Sequence, residues 1–181
     1  ATERQDMADR KITNRTPAQP RLQVPETVVQ ALSPPWMEQA LSEESGGRKV
    51  VVVRQVELIR TVATKVRFQV WFEGDDTPQA YCLKGLLDVD EMTARGGSTC
   101  VLEADFYCKI APGIDVRVPE CVSAVIDREA QQAVIVMRDL IAEGAHFCSA
   151  LEDFSADQAL ASLGQLARLH QGSGLLEGAD W

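Results

Sequence analysis

The stretch QAYCLKGLLD, residues 79–88, sets one lysine, Lys84, among apolar neighbours in what reads as a short strand. A lysine there has two ordinary fates. It can bend out to water along its four-carbon stem, or it can grip a phosphate as a compact positive charge. Metal and thiol chemistry have weaker support. The chain holds two histidines and five cysteines, Cys82, Cys100, Cys108, Cys121 and Cys148, with no Cys-x-x-Cys pair and no Cys/His spacing of a zinc site. The cysteine number is odd, and runs such as YCL and ECVSAV embed thiols among apolar residues. They read as buried free thiols of a reducing compartment. His170 falls on an apolar helical face and reads as a core histidine rather than a catalytic one.

Residues 1–24 lack periodicity and carry two prolines, the pattern of a flexible tail. In LSPPWMEQALSEESGG, Ser33 can cap a helix, Pro34 suits its first position and Gly46–Gly47 end it. Trp36, Met37, Ala40 and Leu41 form its apolar stripe. The period then changes. KVVVVRQVELI (49–59) is β-branched, KVRFQVWFEG (65–74) alternates with Val66, Phe68, Val70 and Phe72 on one face, and AYCLKGLL follows the EGDDTP turn as a third strand. Short connections between these strands predict an antiparallel meander.

Ser98 can cap a helix running to about Ile110, with Leu102, Phe106 and Ile110 on one line, before Pro112 and Gly113 stop it. VRVPECVSAVID (116–127) and QQAVIVM (131–137) read as two more strands around a DREA turn. A last helix opens on a capping box, Ser155 with Gln158, and carries Leu163, Leu166, Ala167 and His170 on one face. The order is helix, three strands, helix, two strands, helix. That is an α+β pattern of one antiparallel sheet interrupted by one helix, and not the strand–helix alternation of a doubly wound fold.

Composition narrows the function. The 181 residues are 45% apolar, enough for a core, and 18 Lys and Arg against 27 Asp and Glu give a formal charge of −9. That balance disfavours sequence-independent binding to nucleic acid and to anionic membrane surfaces. No apolar h-region marks the first 22 residues and no run is long enough to span a bilayer, so a cytoplasmic protein is expected.

A lysine on strand three with a glutamate on the next helix is the plan of a protein-kinase-like small lobe. Four stretches sharpen this. LSPPWMEQAL resembles an opening helix, CLKG a lysine-bearing strand, and EADFYCKIAP with VRVPECVSAV the run that follows. VIVMRDL and LARLHQGSGLLEGADW resemble a hinge and the first large-lobe helix. In this order they resemble the aminoglycoside phosphotransferase and choline-kinase-like superfamily, in particular its ecdysteroid-kinase-like branch, over roughly residues 30–181. The resemblance implies a small lobe over 25–137, with the hinge and the start of a large lobe over 138–181.

It also implies a site. Lys84 would hold the phosphates of ATP, and Glu103 would orient Lys84, with Asp105 as the rival acid two residues on. Met137, Arg138, Asp139 and Leu140 would form the hinge, where backbone groups take the adenine; Arg138 stands where the family usually has glutamate. The turn IRTVATK has no glycine, so Thr61, Thr64 and Lys65 would have to supply phosphate contacts. The family's catalytic aspartate and Mg²⁺ ligands come from a His-Gly-Asp or His-x-Asp loop and a later aspartate, and neither triplet occurs in this sequence. The expectation is therefore a fragment of an ATP- and Mg²⁺-dependent phosphotransferase acting on a hydroxyl of an unknown small molecule, with no catalytic or metal residue of its own. A non-catalytic kinase-like module that binds nucleotide or a protein, or that self-associates through an exposed lobe surface, is the alternative, and a plain α+β domain is a third.

Overall fold

The computed structural model describes residues 22–176. Most of the tail expected over residues 1–24, and the Trp181 end of the chain, lie outside the described residues. Five strands form one antiparallel sheet: β1 (Val50–Arg60), β2 (Thr64–Phe72), β3 (Gln79–Gly85), β4 (Cys121–Asp127) and β5 (Gln132–Arg138). Their order is β1-β2-β3-β5-β4. β3 thus lies at the centre, paired with β2 on one side and β5 on the other. β4 is shorter than its apolar run because Pro119 cannot donate to a ladder.

Side-chain alternation divides the sheet into two working faces. On the first, Phe68 and Tyr81 are fully buried with ring centroids 5.8 Å apart, between Val66 and Val136. The helices α1 (Val28–Ala31), α2 (Pro34–Ala40) and α3 (Ser42–Ser45) come before the sheet in the chain, and α1 and α2 bury Val28, Ala31 and Met37 in this core. Thr27 and Gln30 make a capping box for α1. α3 ends on Gly46 at φ 65°, a backbone geometry that favours glycine.

The second face carries Ala133, Ile135 and Met137 against Cys100, Val101 and Ala104 of helix α5 (Gly97–Asp105). A short helix α4 (Glu91–Ala94), capped by the Asp90 carboxylate, precedes it. Gly96, not Ser98, occupies the cap position of α5. The line expected through Leu102, Phe106 and Ile110 does not exist as a buried face. Leu102 is 49% exposed, whereas Ile110 is buried. α5 packs on the sheet through Cys100, Val101 and Ala104, which leaves Leu102 outside, and Phe106–Ile110 is then a π-helical turn, with Ala111 N–H donating to the Phe106 carbonyl. It adds a residue to the turn and rotates everything after it.

The last helix, α6 (Ala156–Gln171), has both bonds of its Ser155/Gln158 capping box. Its apolar side chains Leu160, Leu163, Leu166 and Leu169 remain exposed, as does His170, which is not a core residue. α6 meets the segment before β4 at its side, through Arg117 N–H to Gln165 Oε1 (2.8 Å) and Arg168 to Asp115 (3.2 Å). Among the described residues no helix is long and apolar enough to cross a membrane.

Gly97 is where α5 meets the β4–β5 turn. A Cβ there would stand 1.8 Å from the Gln131 carbonyl oxygen, a backbone atom that cannot swing aside. Overpacking of this kind costs about 1–3 kcal/mol, sometimes more. Gly97→Ala should lower the unfolding free energy, read from urea melts, by an amount at or above the top of that range; an unchanged midpoint would show that α5 docks less tightly.

Candidate functional site

A cleft of about 500 Å³ opens on the second face, beside α5. Cys82 and Met137 form its floor, Lys65, Arg67 and Lys84 project from the strands, and Glu103 and Tyr107 stand on the α5 side. Leu140, Ile141 and Phe147, from the segment after β5, close the remaining wall. Register explains the grouping. Lys65 lies opposite Lys84, which lies opposite Ile135; Arg67 lies opposite Cys82, which lies opposite Met137.

Lys84 does not bend out to water. Its Nζ lies 2.6 Å from Glu103 Oε1, with each side chain only about a quarter exposed. Glu103 reaches it because Cys100, Val101 and Ala104 turn one face of α5 onto the sheet and leave position 103 at the edge of that face. The rival acid has another task. Asp105, 1% exposed, accepts from Arg128 Nη1 (2.9 Å) and Nη2 (2.7 Å), with Lys109 Nζ at 3.1 Å. It fastens the end of α5 to the β4–β5 turn. The Arg128 hydrogen bonds, foremost, hold its carboxyl below the usual carboxylate range.

Lys65 is half-buried, and its Nζ donates to Thr61 Oγ1 at 3.1 Å. No carboxylate lies within ion-pair distance of it among the described residues. Two ammonium groups on directly opposed residues of neighbouring strands repel one another. Glu103 relieves Lys84, whereas among the described residues no carboxylate is within ion-pair distance of Lys65.

Thr64 does not join this group. It is 2% exposed, and its hydroxyl donates to the Leu87 carbonyl at 2.7 Å, on the same face as Val66 and Phe68. One step of strand alternation separates it from Lys65. At the expected hinge, Met137 lies on the cleft floor and Leu140 on the wall. The Arg138 side chain goes the other way, to Glu44 and over the Tyr81 ring at 5.4 Å. Only its backbone is available to the cleft. Asp139, 4% exposed, is consumed internally: Arg67 Nε donates to both its oxygens (3.1 and 3.0 Å), and the Ile141 N–H to Oδ1 (3.1 Å). Glu57 takes Arg67 Nη1 at 2.8 Å.

Arg67, Cys82, Tyr107 and Phe147 were not anticipated at the cleft. The period of β2 could have found Arg67, since Lys65 and Arg67 share the face opposite Val66 and Phe68. Tyr107 could not have been found, because the π-helical turn is invisible in the pattern. The five cysteines are free thiols, but only Cys100 is buried, while Cys108 and Cys148 are exposed. Burial, then the nearby Asp139 charge, pushes the Cys82 thiol up, so it stays protonated at neutral pH. Burial, with Glu103 behind it, likewise raises the Tyr107 phenol.

The cleft can therefore take a ligand with an apolar flat part and an anionic end. Met137, Leu140 and Ile59 suit the first and the Lys65/Lys84 pair the second. Comparison with known proteins adds no identity: no family model, no curated protein and no solved structure matches the chain.

Asp105 supplies a pH test. Its folded-state titration lies below the ordinary value of 3.8, so its contribution is complete above that value and disappears as pH falls through the lower, folded one. Asp105→Asn should cost about 1–2 kcal/mol at neutral pH, discounted for the half-exposed Arg128. The gap between variant and parent, read from urea melts, should close as pH drops below about 4. A gap that holds constant down to pH 2 would rule out the charged bond.

Proposed function

We propose that this cleft binds ATP, with the phosphates at Lys84 and Lys65 and the adenine against Met137 and the backbone of 138–140. On this reading the chain is a protein-kinase-like small lobe of the aminoglycoside phosphotransferase and choline-kinase-like type. It is the nucleotide-binding part of an enzyme that transfers a phosphoryl group to a hydroxyl of a small molecule. The observation that carries the reading is the 2.6 Å ion pair from Lys84 on strand three to Glu103 on the next helix. Kinases use such a pair to hold a lysine on the nucleotide phosphates. The ammonium of Lys65 beside it, which pairs with no carboxylate among the described residues, supports the same reading, because a polyphosphate would neutralise both cations at once.

The chain's residues do the binding half of this chemistry. Glu103 keeps the Lys84 ammonium in place, so a ligand does not have to order a long mobile side chain. Arg67 and Asp139 hold the wall segment that begins at Leu140. The residues present do not fit a magnesium site. Both carboxylates lining the cleft, Glu103 and Asp139, are already paired with cations. With no His-x-Asp triplet in the sequence either, no transfer step is derived from these side chains. The same facts favour one alternative, a kinase-like module that binds nucleotide without turning it over.

Thermal unfolding with and without ATP tests the reading. A ligand at a hundred times its Kd stabilises by about 2.7 kcal/mol, several degrees for a chain of this size. Lys84→Met should weaken ATP binding about tenfold or more while leaving the unliganded midpoint within a degree or two. If millimolar ATP leaves the parent midpoint unmoved, or if the variant is protected equally, the nucleotide reading fails.

A further inference from the structure

Away from the strand-borne lysines, the segment after β5 gathers three ligand-bearing side chains. We propose that His146, Cys148 and Glu152 form a site for a divalent cation of the zinc class, with water in the fourth position. The imidazole nitrogen, thiol sulfur and carboxylate oxygen all lie within 4.8 Å of one another. His146 Nε2 and Glu152 Oε2 are already 2.9 Å apart.

The chain is built to keep them together. Asp139 anchors the near end of the segment through Arg67, and the Ala145 N–H closes a turn onto the Leu140 carbonyl at 2.8 Å, with Gly144 at φ 91°. Phe147 reaches the cleft while the residues on either side of it approach Glu152. Ser149 then bends the chain back: its hydroxyl accepts from Leu151 N–H (3.3 Å) and its carbonyl from Glu152 N–H (3.1 Å). The far end is fixed by the α6 capping box. Its Gln158 accepts from Ser155 N–H at 2.8 Å and directs its own Nε2 at Cys148 Sγ, 4.0 Å away. A group that orients a metal ligand from behind in this way tunes affinity.

Ligand chemistry selects the metal. Thiolate and imidazole together suit zinc and its neighbours and disfavour magnesium and calcium, which take oxygen. Zinc bonds of about 2.0–2.3 Å at tetrahedral angles put donor atoms roughly 3.3–3.6 Å apart. The His–Glu pair needs to open by only a few tenths of an ångström, and the sulfur, within 4.8 Å of both, to close by no more than about one. On binding, the cation takes the place of the His146–Glu152 hydrogen bond: His146 coordinates through Nε2 as a neutral imidazole with its one proton on Nδ1, and Glu152 coordinates as the carboxylate. Cys148 releases its thiol proton to solvent, and the two anionic ligands then balance the metal charge.

This site is independent of the nucleotide reading, and so is its test. The chain, kept reduced with a phosphine, is titrated anaerobically with Co²⁺, which reports thiolate ligation by a charge-transfer band, followed by Zn²⁺. The expected result is one equivalent of Co²⁺ with a thiolate band that Zn²⁺ abolishes. Cys148→Ser should remove the band and weaken binding at least tenfold, His146→Ala should weaken it similarly, and Cys108→Ser, altering the other exposed thiol, should change neither. No band at stoichiometric Co²⁺, a band that survives in Cys148→Ser, or full affinity in His146→Ala would each overturn the proposal.

Discussion

The 2.6 Å contact between Lys84 and Glu103 joins the centre of the sheet to the helix that covers it, and the cleft exists on its terms. Its worth is geometric. A pair this exposed adds about 0–1 kcal/mol once desolvation and side-chain ordering are counted. What it does is hold an ammonium over an otherwise apolar floor. That requires α5 to sit at one rotation only. Cys100, Val101 and Ala104 set the rotation by packing on Ala133, Ile135 and Met137. Gly97 permits the close approach, and Asp105 locks the far end to Arg128. Apolar packing and a buried carboxylate thus do the stabilising, and the ion pair collects the benefit as position.

Charge works on two scales here. The whole chain carries −9, which speaks to solubility and long-range repulsion of anions. Within the cleft the balance differs: Lys65, Arg67 and Lys84 face Glu103 and Asp139. Screening limits bulk charge to about 8–10 Å at physiological salt, so an anion already inside meets the local cations, not the distant acids. Of these cations, Lys65 pairs with a hydroxyl, that of Thr61, and among the described residues with no carboxylate.

Asp139 has a structural role that its place at the end of β5 does not suggest. It ties the segment after the sheet to Arg67 on β2, reaching across β3. The cleft wall at Leu140 and Ile141 and the bend that gathers His146, Cys148 and Glu152 both continue from that anchor. A single buried carboxylate therefore supports both the cleft wall and that side-chain cluster. Oδ1 accepts from Arg67 and from the Ile141 N–H, and Oδ2 from Arg67.

The sequence by itself determined where the strands and main helices form, because those signals are local. Alternation made β2, Pro34 opened α2, Gly46 closed α3, and Ser155 with Gln158 capped α6. It also held the parity that puts Thr64 in the core beside Val66 and leaves Lys65 at the cleft. Three things were decided only by the tertiary structure. The π-helical turn at Phe106–Ile110 reset which residues face the sheet, since backbone bonding there yields to packing. The Arg138 side chain left the cleft for Glu44, a partner 94 residues away in sequence. The leucines of α6 have a helical period but stay exposed, because a period specifies a face and not what covers it. Local bonds can be read one turn at a time, whereas the pairing of Lys84 with Glu103 depends on how a helix docks, and docking is a property of the whole core.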